Sequence, residues 1–404
     1  MSGRDRRPAL STLVVGGGIG GLAAALALAQ RGRAVHLLER APGFGELGAG
    51  LQVGPNAVRM LDRLGVLDRA LAGAVRPSRA VVMDALTGRP LTALDLGPRF
   101  RERYGYPYVV LHRGDLLAVL LDACRALPLV TLENDKTVTE VRADADEAGV
   151  RCADGSQYRA ELLVGADGLN SRVRTLIDDS PARNSGYVAY RGTLPMREAP
   201  PDAGRDEVRL WIGPAMHLMQ YPVRDHEVYN QVAVFRSERF RLRLEPYGTV
   251  EELESRFAGA CETVRGHVSL ISTERNWPVF DRDPLATWIH GRAVLLGDAA
   301  HPMLQYLGQG ACQALEDAVA LADAVAGRAD LAAALADYER RRIGRASRCQ
   351  LSARPWGEVW HTDDEAMLGL RRRVFAGRRA DDYSELDWLY LDDDTLRPAT
   401  GGIR

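Results

Sequence analysis

The chain has 404 residues, 46% of them hydrophobic and 26% charged, with a formal net charge of −2. That length and composition support a large core in two or three domains or one big α/β unit, and exclude a disordered chain. The near-neutral balance gives no reason to expect nucleic acid as a partner, and the short arginine runs at 340–342 and 371–373 sit beside acidic residues, as solvated helix faces do.

Read from the beginning, the apolar run after MSGRDRRP stops within six residues at Gly16-Gly17-Gly18, too soon for a secretory signal, and no uninterrupted apolar run of spanning length follows. The five cysteines (Cys124, Cys152, Cys261, Cys312 and Cys349) are odd in number and show no metal or redox spacing. A cytoplasmic protein is the expectation.

Residues 10–15, LSTLVV, read as a buried parallel strand. GGGIGG (16–21) follows, matching G-x-G-x-x-G with Gly16, Gly18 and Gly21; then comes an Ala/Leu-rich helix over about 22–31 and a second strand, AVHLLE, ending in Glu39. The three glycines act differently. Gly16 permits the tight turn, Gly18 lets a pyrophosphate reach the backbone, and Gly21 lets the helix pack closely. The helix start, with Ile19 and Gly20, offers free N–H groups to phosphate, and Glu39 comes 23 residues after Gly16, where an adenosine ribose is usually met. This layout indicates a dinucleotide and leaves NAD and FAD both open.

Two later segments bear on that choice. ELLVGADGLNSRVR (161–174) is a strand running into Gly165 and Asp167-Gly168. GRAVLLGDAAHPMLQYLGQGACQALEDAVALADA (291–324) is a strand, then Gly297-Asp298, a Pro/Gly loop and a long helix. A domain that binds only NAD has no need of a second strand-to-helix anion site so far downstream.

The ordered motifs GGGIGG, GADG and GDAAHP resemble those of the single-component FAD-dependent aromatic hydroxylases, the family that includes 4-hydroxybenzoate and salicylate hydroxylases, over nearly the whole chain. The runs GAGLQVGPNA (48–57), SGYVAYRGT (185–193), HLMQYP (217–222), NQVAVF (230–235), LLGDAAHPMLQYL (295–307) and DWLYL (387–391) are similar to the 3-hydroxybenzoate 6-hydroxylases of that family in particular. The resemblance implies an α/β fold: a Rossmann-like FAD domain of the 4-hydroxybenzoate hydroxylase type with an inserted, mostly antiparallel substrate sheet. It implies bound FAD, with NADH or NADPH and O2 as transient co-substrates.

By the same resemblance Glu39 takes the ribose with Arg40 beside it, Gln52 and Arg113 reach the flavin side, Asp298 binds the ribityl chain, and Asp167 serves cofactor and nicotinamide handling. The helix after Gly308-Gln309-Gly310 should aim its N–H groups at the flavin edge where negative charge collects on reduction, with Gly310 in contact. Many relatives have Asn where this chain has Cys312; a packed small residue is the plainer reading of that thiol.

Strand-like alternation with aromatics over 185–194, 206–222 and 227–236 suggests a pocket wall. His217 lies between apolar neighbours, where a histidine satisfied by backbone is ordinary; the resemblance of HLMQYP places it opposite the flavin as a base, with a pKa in the neutral range suited to taking a phenol proton. Gln305 joins it as a catalytic, substrate-orienting residue and Tyr221 as a substrate contact, whereas His301 belongs to the cofactor scaffold.

The expected domains are 1–78, 100–184 and 276–345 for FAD, 79–99 and 185–275 for the substrate, and a tail at 346–404 packed on the body or on the second subunit of a homodimer. The expected reaction is hydroxylation of a small phenolic acid, with a meta-hydroxybenzoate first and salicylate or a natural-product phenol as alternatives. A halogenase, a colourless non-catalytic scaffold on the same fold and an NAD-dependent dehydrogenase are the competing readings. No Arg or Lys stands out as a carboxylate clamp.

Overall fold

The computed structural model describes residues 10–45 and 49–391. Gly48 of the GAGLQVGPNA run, the start at 1–9 and the end at 392–404 lie outside the described residues.

Leu10–Val15 is the centre of a parallel core. It pairs with Val35–Leu38 on one side and Gln157–Gly165 on the other, with Val130–Glu133 and Ala293–Leu295 outside these. The inner strands are buried where they are rich in Val and Leu, which is why LVV, LLVG and AVL read as apolar runs, whereas the edge strand Val130–Glu133 (VTLE) is only partly covered. The order makes distant motifs neighbours. The turns carrying Asp298, Asp167, Gly16 and Glu39 follow adjacent strands and sit along one carboxyl edge, the usual ligand crevice of a parallel sheet. Three strand spacings separate the outer two, roughly 14 Å, a span suited to an extended dinucleotide.

A second sheet of seven strands runs Asn276–Asp281, Arg183–Pro195, Val228–Arg236, Met216–Val223, Glu207–Gly213, Arg79–Asp84, Pro90–Asp95. Every pairing is antiparallel except Glu207–Gly213 with Arg79–Asp84. The sheet is wider than expected at one end: residues 276–281, assigned from sequence to the FAD unit, pair with Arg183–Pro195 instead. The stretch 206–222 is two strands, because the turn at Gly213-Pro214-Ala215 reverses the chain, with Ala215 at φ +54°.

The tail packs on the body of the chain. Leu331–His361 is one helix of 31 residues that crosses the expected boundary at 346, roughly 46 Å long at 1.5 Å per residue. It begins against the helix Gly310–Ala326 and ends against the second sheet, where Trp360 joins Leu210, Ile212, Val234 and Tyr306 in one apolar cluster. Gly357 permits this approach: a Cβ there would lie 2.3 Å from the Tyr306 ring.

Candidate active site

One cavity of about 600 Å³ runs from the carboxyl edge of the parallel sheet to the face of the second sheet, a size typical of cofactor sites. Of the residues expected from sequence to meet cofactor or substrate, Gly16, Gly18, Ile19, Gly20, Glu39, Arg40, Gln52, Arg113, Asp167, Asp298, Gly310, His217, Tyr221 and Gln305 all line it. Gly21 does not; it lies beneath the turn, where a Cβ would come within 1.9 Å of the Gly16 carbonyl oxygen. Gly16 adopts φ +109°, a left-handed conformation that glycine takes without strain.

At this end the backbone does the holding. The helices Ile19–Gln30 and Gly310–Ala326 both point their N-termini into the cavity, and neither has a side-chain cap. Their first N–H groups are thus available to anionic or carbonyl oxygens. Glu39 accepts from the backbone N–H of Gly17 at 2.6 Å and of Ala41 at 2.8 Å, which fixes its carboxylate at the rim. Asp298 is exposed to the cavity with no hydrogen bond or ion pair among the described residues, as suits a carboxylate awaiting hydroxyls. Its turn is held from behind by Asp317, which accepts from the Gly297 N–H at 2.9 Å and meets His301 Nε2 at 2.5 Å. Burial opposes that charge, but His301 and the fully buried Arg342 outweigh it and hold Asp317 at about 2.

Asp167 has a different character from Asp298. It accepts from the Ser171 hydroxyl at 2.5 Å and the Arg172 N–H at 2.6 Å, so its carboxylate fastens the turn into Val173–Leu176, and burial pushes its pKa up. Cys312 is wholly buried, its thiol pushed up to about 12 by burial, as an inert packed residue.

The opposite end is built from side chains. His217, Met219 and Tyr221 are alternate residues of one strand and share its cavity face. Arg191 projects from the same face two strands away, in the row of Met219 and Val232. Its Nη2 donates to Gln305 Oε1 at 3.0 Å. A guanidinium only donates, so the Gln305 amide must turn its oxygen to Arg191 and its NH2 away. Arg191 Nε is buried without a partner, and among the described residues the side chain's hydrogen bond goes to the neutral Gln305 rather than to a carboxylate. Burial, and then the charge of Arg113, push its pKa below the usual arginine range; it nonetheless stays protonated.

His217 corrects one expectation. Its pKa is not in the neutral range but lowered to about 3 by burial. Its Nδ1 lies 2.7 Å from Nε2 of His361, and the two rings are near-parallel and meet edge to edge, with centroids 5.0 Å apart. Trp360, from the same helix end, also lines the cavity.

Sequence reasoning did not single out Arg191, Trp360 or His361 as site residues. Arg191 lies in the quoted run SGYVAYRGT and carries a strand-alternation signal; the other two carry none, because a helix end reveals nothing of what it crosses.

The family described as the FAD binding domain matches residues 9–350. The chain belongs to this FAD-binding family. It is a flavin-dependent aromatic monooxygenase, as its curated relatives make plain. It is 38% identical to a 3-hydroxybenzoate 6-hydroxylase of Polaromonas naphthalenivorans (strain CJ2), covering 96% of this chain and 97% of that one. It is 39% identical to the Klebsiella oxytoca enzyme of the same name, covering 94% and 96%. Among solved structures, Klebsiella pneumoniae HpxO complexed with FAD and uric acid superposes with a TM-score of 0.79 at 28% identity, covering 92% of this chain and 94% of that one. A salicylate hydroxylase substrate complex gives 0.78 at 26%, covering 98% and 99%. The monooxygenase uses FAD with a reduced nicotinamide and O2. No helix among the described residues is long and apolar enough to cross a membrane.

Proposed function

We propose that this monooxygenase hydroxylates a small aromatic carboxylic acid that already carries a ring hydroxyl, with 3-hydroxybenzoate as the first candidate and 2,5-dihydroxybenzoate as its product. The observation that carries the reading is Arg191: a half-buried cation whose Nε is buried without a partner and which has no counter-charge among the described residues, on the same sheet face as His217 and beside Gln305. A carboxylate is the natural partner of such a guanidinium.

The names of the relatives favour the same chemistry. Besides the 3-hydroxybenzoate 6-hydroxylases, the chain is 36% identical to a 3-amino-4-hydroxybenzoate 2-monooxygenase of Streptomyces cremeus and 36% identical to a 6-hydroxynicotinate 3-monooxygenase of Bordetella bronchiseptica. All three names describe a ring acid with a hydroxyl group.

FAD, when bound, supplies hydride acceptance and the activation of oxygen; the protein supplies placement and polarity. Gly16, Gly18 and the start of Ile19–Gln30 would hold the pyrophosphate, Glu39 and Arg40 the ribose end, Asp298 the ribityl hydroxyls, and Gln52, Arg113 and Gly310 the flavin end. Arg191 fixes the substrate carboxylate, and the Gln305 amide and Tyr221 orient the ring. His217 is neutral because burial opposes its charge, which leaves it a lone pair for the phenol proton; the same burial makes it a weak base, so it holds that proton only beside the phenolate it has formed. The apolar Met219, Val232 and Trp360 exclude water around that step.

The test is product analysis with NADH or NADPH across a panel: 3-hydroxybenzoate, salicylate, 3-amino-4-hydroxybenzoate, 6-hydroxynicotinate, and phenol as the control without a carboxylate. Ring-hydroxylated product from an acid and none from phenol is expected. Equal turnover of phenol would refute the Arg191 assignment.

A further inference from the structure

We propose that His361 is a positioning residue for His217, fixing which ring nitrogen of His217 meets the substrate and receiving the Nδ1 proton when Nε2 takes one. The inference rests on the reading of His217 as the base.

Both rings are buried and 19° from parallel, with centroids 5.0 Å apart, and His217 Nδ1 is 2.7 Å from His361 Nε2. A separation that short is a hydrogen bond, and it holds one proton between two lone pairs. With Nδ1 engaged, Nε2 is the nitrogen left to His217 for the cavity. When the shared proton rests on His217 Nδ1, Nε2 keeps its lone pair and can accept. When it rests on His361 Nε2, His217 Nε2 carries hydrogen and can only donate. His361 therefore sets the tautomer of His217.

The surroundings favour a pair without extra charge at rest. Tyr187 stacks on the other side of His361 at 4.5 Å, and the edges of Tyr306 and Trp360 close the site around the pair. Arg236 and Arg371 set positive charge towards His361, while Glu358 and Asp363 lie on the Tyr187 side. His361 Nδ1 is buried with no partner among the described residues, so none of these takes a second proton onward from it.

The step balances as two proton shifts. The phenol O–H breaks as a bond forms to His217 Nε2; the His217 Nδ1–H breaks as a bond forms to His361 Nε2. The phenolate keeps the electron pair and balances the positive charge now shared by the pair. The reverse shifts restore both rings at product release.

The experiment compares full-length, FAD-loaded His361→Phe, His361→Gln and His217→Asn with the parent, following kcat, KM, product per nicotinamide oxidised, and the pH–rate profile. His361→Phe is expected to lower kcat by about tenfold or more with KM little changed, and to regain rate at high pH, where the phenol ionises unaided. His361→Gln, which can accept from Nδ1 and so keep the tautomer but cannot take up its proton, should recover only part of the loss and keep the high-pH rescue. Parent-like kcat and pH profile in His361→Phe, or equal impairment in both variants with FAD retained, overturns the proposal. If His217→Asn alone is impaired, only the role of His361 falls; if His217→Asn turns over normally, the base assignment itself falls. Nitrogen-15 shifts of His217 in the unmodified protein give a reading independent of any variant's folding: the Nδ1–H form is expected, and a resting Nε2–H form contradicts the proposal.

Discussion

The two ends of the cavity are made in opposite ways. The nucleotide end is a row of turns at the edge of a parallel sheet, where glycine geometry and helix N-termini leave room for a ligand. The substrate end is a meeting of side chains, with Arg191, His217 and Gln305 brought from three separate elements and backed by a helix that starts elsewhere. At Gly16, Gly17 and Gly21 the first kind of site has no room for an added Cβ, which would come within 3 Å of backbone or ring atoms. The second depends on charges and protons being matched across elements.

The largest effect should come from breaking the backbone end. Gly21→Val places atoms where the Gly16 carbonyl already sits, and the purified protein should lose about tenfold or more of its flavin per chain, read from absorbance. Normal flavin content would show that the close packing is dispensable. At the substrate end, Arg191→Met should leave flavin in place and raise KM for the acid by about 30-fold or more, the loss expected when one partner of a buried charge pair is removed. Loss of flavin with unchanged KM would move Arg191 to the cofactor side of the comparison.

A smaller effect separates the ends by pH. His217 titrates at about 3 and His361 well below its ordinary value, in each case first because burial disfavours the charge. The unfolded chain takes up protons below about 6.5 while the folded chain does not, so stability is full above that pH and falls as pH drops towards the folded values. Between pH 6.5 and 5 the loss from His217 is about 2 kcal/mol, measurable as a shift in urea midpoint, and His361 adds to it in the same direction. His217→Asn should flatten that dependence, and an unchanged slope would contradict the buried neutral pair.

The same contrast explains what could be read from the residues alone. Gly16, Gly18 and Gly21 announce themselves because a turn against a helix demands that spacing, and Asp298 follows a strand in the same manner. Their convergence needed only the strand order. Arg191 could not be ranked, since strand alternation marks a face but not a missing counter-charge. His361 was beyond reach because its importance lies in a partner 144 residues away. The pKa of His217 differs from its residue type because burial, which one sequence position does not reveal, opposes the proton. Asp167 (Ala-Asp-Gly) and Asp298 (Gly-Asp-Ala) each follow a parallel strand beside a glycine, yet one carboxylate ties down a turn and the other is left to the cavity.

The central claim is that cofactor and aromatic acid lie end to end in a single cavity. It is tested most directly by titrating the FAD-loaded protein with 3-hydroxybenzoate while recording the flavin absorbance spectrum. A saturable perturbation of the flavin bands, weakened by Arg191→Met, is the predicted result. Saturable binding of the acid that leaves the flavin spectrum untouched would place the acid elsewhere and contradict the account.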